Sequence, residues 1–527
     1  MKKYVLLLTV FLFPCVLYAQ ELNLIPYPNE VTRLKDNLLI AKNSRFYTDN
    51  QKFKGVVNYL NEDLNKAVKK ALAMQKIQIS INGNNTTPGS YTLSASGKII
   101  KITAADRAGV FYGMITLSQL YRSAKSDYTN MILPGVKITD QPRYQWRGFM
   151  LDESRHFFGK KVVKSILSWM AFYKLNRFQR HLTDAQGWRF EVKKYPLLAT
   201  KGGKGNFTDS TAKAQYYTQK DIKEIVAFAK RRNIEIIPEI DMPGHATGAT
   251  SAYPELSGGT TPGYENFTFN PAKETTYKYL SNVLKEVRTL FPAHVIHIGG
   301  DEVTLGIKAW ETNPDVLRLL AAKKMTDYRQ AEFYFLKRIA DTVQKLGCRV
   351  MCWDEAVPAG LPTAKVVVNW WRQNKPESLA EALNKGYKVV LCPRLPLYFD
   401  FVQDSTHVSG RKWGKLYNTY LDVYHFPENA LADTVYKKAN VIGLQANLWT
   451  ETVVTKKRLE YLLFPRLAAM AEAGWVAEPT KNDELFNKRL SAHLQYYKQA
   501  GLYYYDPFNP GYHPEAIDVN PKSAIQD

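Results

Sequence analysis

Eight short apolar stretches, most of them followed by a stretch of helical character, run through residues 141–505 and constrain the fold more than any other feature. The apolar stretches are 149–151, 177–182, 234–240, 295–298, 349–353, 366–369, 388–391 and 441–446. The helical stretches are 161–173, 220–232, 275–290, 331–346, 376–385 and 459–472. Strands that alternate with helices form parallel sheets, and eight such units close into a barrel. The pattern therefore predicts an α/β fold whose larger domain is a (β/α)8 TIM barrel.

A smaller domain precedes the predicted barrel. The chain has 527 residues, which is more than one barrel of typical size requires. Residues 20–140 contain β-like stretches at 77–81, 91–94 and 99–103 and helical stretches at 52–71 and 108–123. Pro134 and the pair Gln141 and Pro142 interrupt the pattern before the barrel begins. We therefore predict an N-terminal α+β domain over 20–140, a barrel over 141–505 and a C-terminal tail over 506–527.

The first 19 residues have the pattern of a secretory signal. Met1, Lys2 and Lys3 precede an apolar stretch that ends near Ala19. That stretch is shorter than a membrane span requires, whereas its length and charged start are typical of a signal peptide. We expect export to the periplasm or the exterior of a bacterium.

Cysteine content and charge argue against two further classes of protein. After removal of the signal an odd number of cysteines remains, Cys348, Cys352 and Cys392, so we expect buried thiols and no disulfide framework. The formal net charge is +22, but lysine and arginine are spread over helix faces and no nucleic-acid-binding motif is present. We expect no nucleic acid partner and no membrane span, and a homodimer stays open.

Polar and aromatic side chains follow every predicted strand at its C-terminal end. In chain order they are Asp152 and Arg155; His181 and Asp184; Glu239, Asp241 and His245; Asp301 and Glu302; Trp353, Asp354 and Glu355; Trp370 and Trp371; Arg394, Tyr398 and Asp400; and Trp449 and Glu451. Barrel enzymes assemble their sites at this end from several strands. Carboxylates bind sugar hydroxyls and aromatic rings pack on the apolar faces of sugars. The strand ends therefore favour a glycosidase.

Residues 297–302 form the most informative of these ends, because two glycines and two adjacent acids follow an apolar lead-in. The glycines let the backbone turn tightly and approach a ligand. Neighbouring carboxylates push their pKa values apart, which keeps one of them protonated near neutral pH. Asp301 and Glu302 are therefore candidates for a general acid and a charged helper. For this motif alone, a solvated acidic turn is the alternative.

Eight motifs in order resemble those of the family 20 glycoside hydrolases, the β-N-acetylhexosaminidases. They occupy residues 147–152, 174–176, 181–184, 186–189, 238–245, 297–302, 353–355 and 449–451. Residues 109–113 resemble part of the non-catalytic domain that precedes the barrel in that family. The resemblance implies an exo-acting enzyme that uses no metal or other cofactor. Its substrate would be a glycan with terminal β-linked N-acetylglucosamine or N-acetylgalactosamine.

The resemblance also implies a retaining mechanism that is assisted by the substrate. Glu302 is then the general acid and later the base, Asp301 holds the acetamido N–H, and Tyr398 donates to the acetamido oxygen. The acetamido carbonyl attacks the anomeric carbon and gives an oxazolinium intermediate. The aromatic residues that resemble the wall around the acetamido group are Trp353, Trp371, Trp413 and Trp449.

Further residues resemble the family's contacts to the sugar hydroxyls and to the general acid. Arg147 matches the arginine that holds O3 and O4, and Asp400 and Glu451 match the acids that hold O4 and O6. Asp241 and His245 resemble a relay that tunes the proton on the general acid.

The chain departs from the family pattern at Gln179 and Ala185, where an aromatic residue and a second aspartate are common. These departures predict a change in the substrate rim or in the pH profile, not in the core chemistry.

Three alternatives stay open. A metal hydrolase would use His294 and His297, but two histidines three apart on a strand point to opposite faces, and no zinc motif is present. A retaining glycosidase with a covalent intermediate would use another carboxylate, such as Glu355, as its nucleophile. A secreted glycan-binding protein would keep the pocket without turnover. The loop departures support it, and the intact residues Asp301, Glu302 and Tyr398 argue against it.

Overall fold

The structure is a computed structural model that describes residues 22–64, 73–82, 87–412, 417–478 and 480–518. The predicted signal at 1–19 and the predicted wall residue Trp413 lie outside the described residues. A small α+β domain precedes a closed eight-stranded parallel barrel, so the predicted fold class is confirmed.

The N-terminal domain consists of a six-stranded sheet, a three-stranded sheet and two helices. Its strands are β1 (Glu30–Arg33), β2 (Leu38–Ala41), β3 (Ser44–Tyr47), β4 (Ala73–Ile81), β5 (Tyr91–Ser96), β6 (Ile99–Ala104), β7 (Lys125–Ser126), β8 (Asn130–Leu133) and β9 (Val136–Asp140). Its helices are α1 (Lys54–Asp63) and α2 (Arg107–Arg122). The strand order is β1-β9-β5-β6-β4-β3, and β2, β8 and β7 form a separate sheet. The last strand ends at Asp140.

Eight parallel strands follow one another around the barrel in chain order. They are β10 (Trp146–Asp152), β11 (Arg177–His181), β14 (Glu235–Glu239), β15 (Val295–His297), β16 (Arg349–Trp353), β17 (Val366–Trp370), β18 (Lys388–Leu391) and β19 (Val441–Leu448); β12 (Thr183–Asp184) and β13 (Gly187–Trp188) form a hairpin after β11. The helices are α3 (Gly159–Phe172), α4 (Leu197–Thr200), α5 (Gln219–Arg231), α6 (Thr247–Ala252), α7 (Glu274–Leu290), α8 (Pro314–Lys323), α9 (Tyr328–Lys345), α10 (Pro376–Asn384), α11 (Arg394–Leu397), α12 (Tyr420–His425), α13 (Asp433–Tyr436), α14 (Lys456–Leu463), α15 (Arg466–Trp475) and α16 (Asp483–Gln499). All eight predicted strands are therefore present.

Alternation along each strand decides which side chains enter the barrel, because residues two apart lie on one face. An apolar cluster fills the interior near the strand starts, and it consists of Trp146, Ile237, Met351, Val367 and Val390. Two residues further along the same strands are Gly148, Glu239, Trp353, Asn369 and Cys392. The interior thus changes from apolar to polar and aromatic towards the C-terminal ends.

Helix α5 follows directly from its sequence. Thr218 caps its start by accepting from the backbone N–H of Asp221, whose side chain accepts from the N–H of Thr218 in return. Ile222, Ile225 and Ala229 are buried and recur at helical spacing, so one face packs on the barrel.

The single helix predicted over 459–472 is wrong, because the structure has two helices, α14 and α15. The break lies at Phe464, which is extended, and Pro465, which has no backbone N–H to continue a helical ladder. The sequence pattern also did not predict helix α16.

Burial of the cysteines agrees with the prediction, since Cys348, Cys352 and Cys392 are all buried and free. Within the described residues, no helix combines the length and apolar character needed to cross a bilayer.

Buried polar contacts join the two domains. Arg147 at the start of β10 donates to the hydroxyl of Tyr112 on α2 at 2.7 Å. Lys174 Nζ lies 3.1 Å from Asp140 Oδ2, and the indole of Trp475 donates to Asp140 Oδ1 at 2.8 Å. The small domain is thus attached beside the N-terminal ends of the barrel strands, away from their C-terminal ends.

Candidate active site

A cavity of about 660 Å³ opens at the C-terminal ends of the barrel strands. Side chains from all eight strand ends line it, including the predicted residues Asp301, Glu302, Tyr398 and Glu451. The barrel therefore brings together residues that are far apart in the chain, as expected for this fold.

The turn that carries the acid pair depends on glycine. Gly299 and Gly300 have φ of +68° and +88°, which is the left-handed region. A Cβ on Gly299 would lie 1.7 Å from Asp241 Oδ1, so the Asp241 carboxyl group fills the space that a side chain needs. Glu302 itself has φ of 50°, and its backbone N–H donates to Glu355 Oε1 at 3.3 Å. Asp241 and Glu355 thus support the turn from two sides.

Asp301 lines the cavity, and the residue as a whole is 8% exposed. Its Oδ1 has no hydrogen-bond partner among the described residues. Burial, together with the neighbouring carboxyl group of Asp241, raises the pKa of Asp301 well above its usual range. Burial also raises the pKa of Asp241 to about 7. Each of the two acids therefore holds its proton more strongly than an isolated aspartic acid does.

Glu302 differs from its neighbour in exposure and in its partner. Its side chain is 43% exposed, and Oε2 lies 3.5 Å from His245 Nε2. Burial raises the pKa of Glu302, but the hydrogen bond and positive charge of His245 outweigh it, so the net pKa is below the usual value. The adjacent acids therefore have divided pKa values, but the raised pKa belongs to Asp301 and not to the predicted general acid Glu302.

His245 is held by Asp184, not by Asp241. Its Nδ1 lies 2.9 Å from Asp184 Oδ1, whereas neither carboxyl oxygen of Asp241 has a hydrogen-bond partner among the described residues. Although burial lowers the pKa of His245, Asp184 and the nearby acids raise it well above its usual value. The predicted relay from Asp241 is therefore wrong in its acid. The sequence did mark Asp184 as a strand-end residue but gave it no role.

Arg147 does not reach the cavity, so its predicted contact with the sugar is wrong. It shares a strand face with Phe149 and Leu151, which pack with the helices outside the barrel. Its guanidinium donates to the carbonyl groups of Lys174 and Tyr144 at 3.0 and 2.5 Å. The residue as a whole is 1% exposed.

Arg155, in the loop that follows strand β10, lines the cavity in place of Arg147. Its Nη1 lies 2.7 Å from Asp184 Oδ2, and its guanidinium lies over the Trp449 ring at 5.0 Å from the centroid. Nη2 is 4.0 Å from Glu451 Oε1. The loop after the strand, not the strand start, therefore supplies the fixed cation.

Aromatic side chains form one wall of the cavity. Trp353, Trp371, Tyr398 and Trp449 all line it. The Trp371 and Tyr398 rings are stacked with centroids 6.4 Å apart, and Trp449 lies 6.0 Å from both Trp353 and Tyr398. The Trp353 indole donates to Glu239 Oε1 at 2.9 Å, which fixes its orientation. Burial raises the pKa of Tyr398 well above its usual value, so its hydroxyl keeps its proton.

Two acids and an arginine form the part of the site that we call the closed end. Arg411 and Glu451 line the cavity, and Asp400, which is buried and does not line it, pairs with Arg411. Arg411 Nε lies 3.0 Å from Asp400 Oδ2, and Nη2 lies 2.9 Å from Glu451 Oε1. Burial raises the pKa of Asp400 to about 7. Arg411 therefore joins two carboxylates that would otherwise repel each other. The sequence pattern missed it because it lies in a loop, eleven residues after Asp400.

Gln179 is not part of the substrate rim, which corrects one predicted consequence of the family departures. It is fully buried within the barrel, where it donates to Glu239 Oε2 at 2.8 Å and accepts from Asn369 and Gln445 at 3.2 and 2.8 Å. It thus helps to hold the carboxylate that orients Trp353. Ala185, by contrast, does line the cavity.

Three groups of acids and histidines are close enough to be considered as metal ligands. They are His181, Glu239 and Asp241; Asp184, Asp241 and His245; and His245, Asp301 and Glu302, with ligand atoms within 4.8 Å in each group. Both nitrogens of His181 already face carboxylates, at 2.7 Å from Asp184 and 2.9 Å from Glu239. Arg155 also contacts Asp184. Protein cations therefore already neutralise much of this negative charge.

A barrel with divided acids beside an aromatic wall belongs among the glycoside hydrolases. The chain matches the catalytic domain of glycosyl hydrolase family 20 over residues 144–478 and domain 2 of the same family over residues 21–141. It therefore belongs to glycosyl hydrolase family 20, and it is a β-hexosaminidase.

Known relatives agree with this assignment. A β-hexosaminidase of Porphyromonas gingivalis is 32% identical over 539 residues, which cover 96% of this chain and 68% of that protein. A β-hexosaminidase of Vibrio furnissii is also 32% identical, over 86% of this chain and 77% of that protein. The exo β-N-acetylglucosaminidase of Vibrio harveyi in complex with N-acetylglucosamine has a similar structure. Its TM-score is 0.83 at 30% identity, over 92% of this chain and 78% of that one.

Proposed function

We propose that the enzyme is an exo-acting β-N-acetylhexosaminidase that removes terminal N-acetylglucosamine or N-acetylgalactosamine from β-linked glycans. Asp301 carries this proposal. Its buried carboxyl group faces the aromatic wall with an unpaired oxygen and lies next to the acid Glu302. An acetamido N–H is the donor that this oxygen lacks.

The reaction proceeds in two steps. Glu302 gives a proton to the glycosidic oxygen while the substrate's acetamido carbonyl oxygen attacks the anomeric carbon, so the glycosidic bond breaks and an oxazolinium forms. Glu302 then takes a proton from water, which attacks the anomeric carbon and restores the acetamido group with retained configuration. Asp301 accepts from the acetamido N–H, and the Tyr398 hydroxyl donates to the acetamido oxygen. Such an attack is fast because the wall holds the group under the ring.

Substrate binding prepares Glu302 for its role as acid. The Glu302 side chain is 43% exposed, and His245 favours its charged form. A sugar in the cavity removes water from this carboxyl group, which raises its pKa because a charge is less stable out of water. The proton is therefore taken up when the substrate is present.

The closed end favours removal of one terminal sugar at a time. Asp400, Arg411 and Glu451 form a fixed set of charged groups, of which Arg411 and Glu451 line the cavity. They suit the O4 and O6 hydroxyls of a non-reducing residue and leave no path for a longer chain beyond it. Arg155 takes the role of the cation that holds O3 and O4, which the sequence had given to Arg147.

The alternative with a covalent intermediate is less well supported. Glu355 would have to reach the anomeric carbon, but its Oε1 accepts from the Glu302 backbone and its Oε2 lies 3.5 Å from Arg372 Nη1. It supports the catalytic turn and is not among the residues that line the cavity.

Hydrolysis of two aryl glycosides tests the proposal. An aryl β-N-acetylglucosaminide should be cleaved, whereas the matching aryl β-glucoside, which has no acetamido group, should not be cleaved measurably. Equal rates on the two substrates would contradict participation of the acetamido group. Binding without cleavage of either would favour a glycan-binding protein.

Replacement of the acid tests its role separately. Glu302→Gln should reduce kcat about 10²- to 10⁴-fold on substrates with poor leaving groups. It should reduce kcat much less on activated aryl glycosides, because those need no proton to depart. Glu311→Gln, which changes an exposed acid outside the cavity, serves as the control. A loss that does not depend on the leaving group would contradict the assignment.

We also propose that the enzyme is exported, on the strength of the charged start and apolar stretch in residues 1–19. Cell fractionation with N-terminal sequencing of the mature protein tests this, and an intact Met1 in the cytosolic fraction would refute it.

A further inference from the structure

The segment after the last helix lies against the loops behind the closed end of the cavity. We name residues 506–518 the C-terminal strap. Tyr503, just before it, donates from its hydroxyl to the carbonyl group of Pro514 at 2.7 Å, which folds the chain back on itself. Two of the acids in the strap, Glu515 and Asp518, make contacts that reach across to loops more than 60 residues earlier.

Glu515 holds the loop that follows Asp400. Its Oε2 accepts from the backbone N–H of Val408 at 2.7 Å, and its Oε1 accepts from that of Ser409 at 3.0 Å. Arg458 on α14 donates to Glu515 Oε1 at 2.9 Å and also to the carbonyl group of Ser409. The Glu515 carboxylate thus holds the backbone N–H groups of Val408 and Ser409, and the fully buried Arg458 guanidinium holds the carbonyl group of Ser409.

Asp518 holds the loop that follows Glu451. Its carboxylate accepts from the backbone N–H groups of Val454 and Thr455 at 2.8 and 2.5 Å, and from the Thr455 hydroxyl at 2.7 Å. Val454 lies only three residues after Glu451. The strap therefore fastens both loops from which the closed end is built.

The loop held by Glu515 leads directly to Arg411. Gly410 has φ of +106°, and a Cβ there would lie 2.8 Å from Arg458 Nη2, so the buried arginine fixes the path of the backbone next to Arg411. The N–H of Val402 then donates to the carbonyl group of Arg411 at 3.1 Å. The guanidinium of Arg411 is thereby placed between Asp400 and Glu451.

We propose that the C-terminal strap, through Glu515 and Asp518, positions the closed end of the substrate pocket. Glu515 and Asp518 are positioning residues, since neither lines the cavity. The inference rests on the proposed function, because it assigns the strap to the hydroxyl-binding end of that same site. It gives a specificity role to a tail that carries no motif of its own.

The strap should affect substrate binding more than turnover. The closed end holds hydroxyl groups that do not react, so its contacts are the same in the ground state and the transition state. Loss of the two backbone hydrogen bonds to Glu515 should raise KM about tenfold and leave kcat within about twofold.

Variants of the strap test this with two readouts. Glu515→Ala and Asp518→Ala are compared with Asp506→Asn, an acid of the same strap whose hydrogen bonds stay within its own turn at Phe508 and Asn509. The first readout is the ratio of kcat/KM between an aryl β-N-acetylglucosaminide and its 6-deoxy form. It should fall about tenfold in Glu515→Ala and Asp518→Ala and stay unchanged in Asp506→Asn. A smaller folded fraction lowers kcat/KM equally for both substrates, so a loss of folded protein alone leaves the ratio unchanged. An unchanged ratio would overturn the proposal.

The second readout does not depend on activity. Backbone amide exchange in residues 400–412 should accelerate in Glu515→Ala, and exchange at 451–456 should accelerate in Asp518→Ala. Unchanged exchange in these loops would overturn the inference even if the enzyme is active. If the wild type cleaves neither substrate, the proposed function has failed, and the exchange data alone decide whether the strap positions the loops.

Discussion

Replacement of Gly299 by alanine tests how closely the acid pair depends on its turn. Gly299 and Gly360 have nearly the same φ, +68° and +67°. A Cβ on Gly360 would have nothing within 4 Å, whereas on Gly299 it would lie 1.7 Å from Asp241 Oδ1. Gly360→Ala therefore measures backbone strain alone, and Gly299→Ala measures strain together with the displacement of a buried carboxyl group.

The two costs can be separated by magnitude. Left-handed backbone costs about 1–2 kcal/mol for a residue with a Cβ, and this applies to both variants. Overpacking adds about 1–3 kcal/mol to the loss of stability in Gly299→Ala. The turn can relieve the clash only by moving, and a displacement of about 1 Å at a reacting group reduces the rate about 10²-fold. We therefore expect kcat to fall about 100-fold in Gly299→Ala and to stay near wild type in Gly360→Ala.

Urea titration and steady-state kinetics on an aryl β-N-acetylglucosaminide measure both effects. If Gly299→Ala keeps a kcat within about threefold of Gly360→Ala, equivalent to less than about 1 kcal/mol, then Asp241 does not limit the position of the acid pair and the reasoning is refuted.

Three further predictions follow from the placement of charged groups. Arg155→Lys should raise KM at least about tenfold, whereas Arg147→Lys should lower the free energy of unfolding and leave KM unchanged; the reverse result would contradict the corrected assignment. Asp184→Asn should lower kcat/KM about 100-fold and move the alkaline limb of the pH profile of kcat/KM upward. Without the Asp184 carboxylate the pKa of His245 falls, so His245 carries less positive charge and lowers the pKa of Glu302 less. An unshifted limb would rule out the relay. His493→Gln should lessen the fall in unfolding free energy between pH 6.5 and pH 4. Burial lowers the pKa of His493 in the folded protein from 6.5 to about 3, so in this range only the unfolded chain binds a proton at His493. Urea titrations across this range measure the slope, and equal slopes in variant and wild type would disprove the contribution.

Strand positions were predictable because they depend on local patterns. All eight apolar stretches became strands, since runs of β-branched and aromatic residues between turns are a short-range signal. The break at Pro465 was a local signal as well, and it was overlooked within a strongly apolar stretch. Helix α16 has a mixed face, and its contacts with the barrel come from parts of the chain far away in sequence.

Side-chain direction was harder to predict than strand position. Arg147 carries the right chemistry for the pocket, but the face it shares with Phe149 turns it away from the barrel interior. Asp184 and Asp241 both follow strands, and only the folded loops decide which of them reaches His245. Arg411 had no sequence signal, because its role depends on a loop that is held by residues about 50 and 100 positions later.

Arg147 gives the junction of the two domains a consequence for the behaviour of the whole chain. Its guanidinium and the ammonium group of Lys174 are both buried where the domains meet, against Tyr112 and Asp140 of the small domain. A barrel expressed without that domain would expose Trp475 and leave these cations without their partners in the small domain. We therefore expect the two domains to unfold as one cooperative unit on heating, so that a cut at their boundary in sequence does not separate two independent folds.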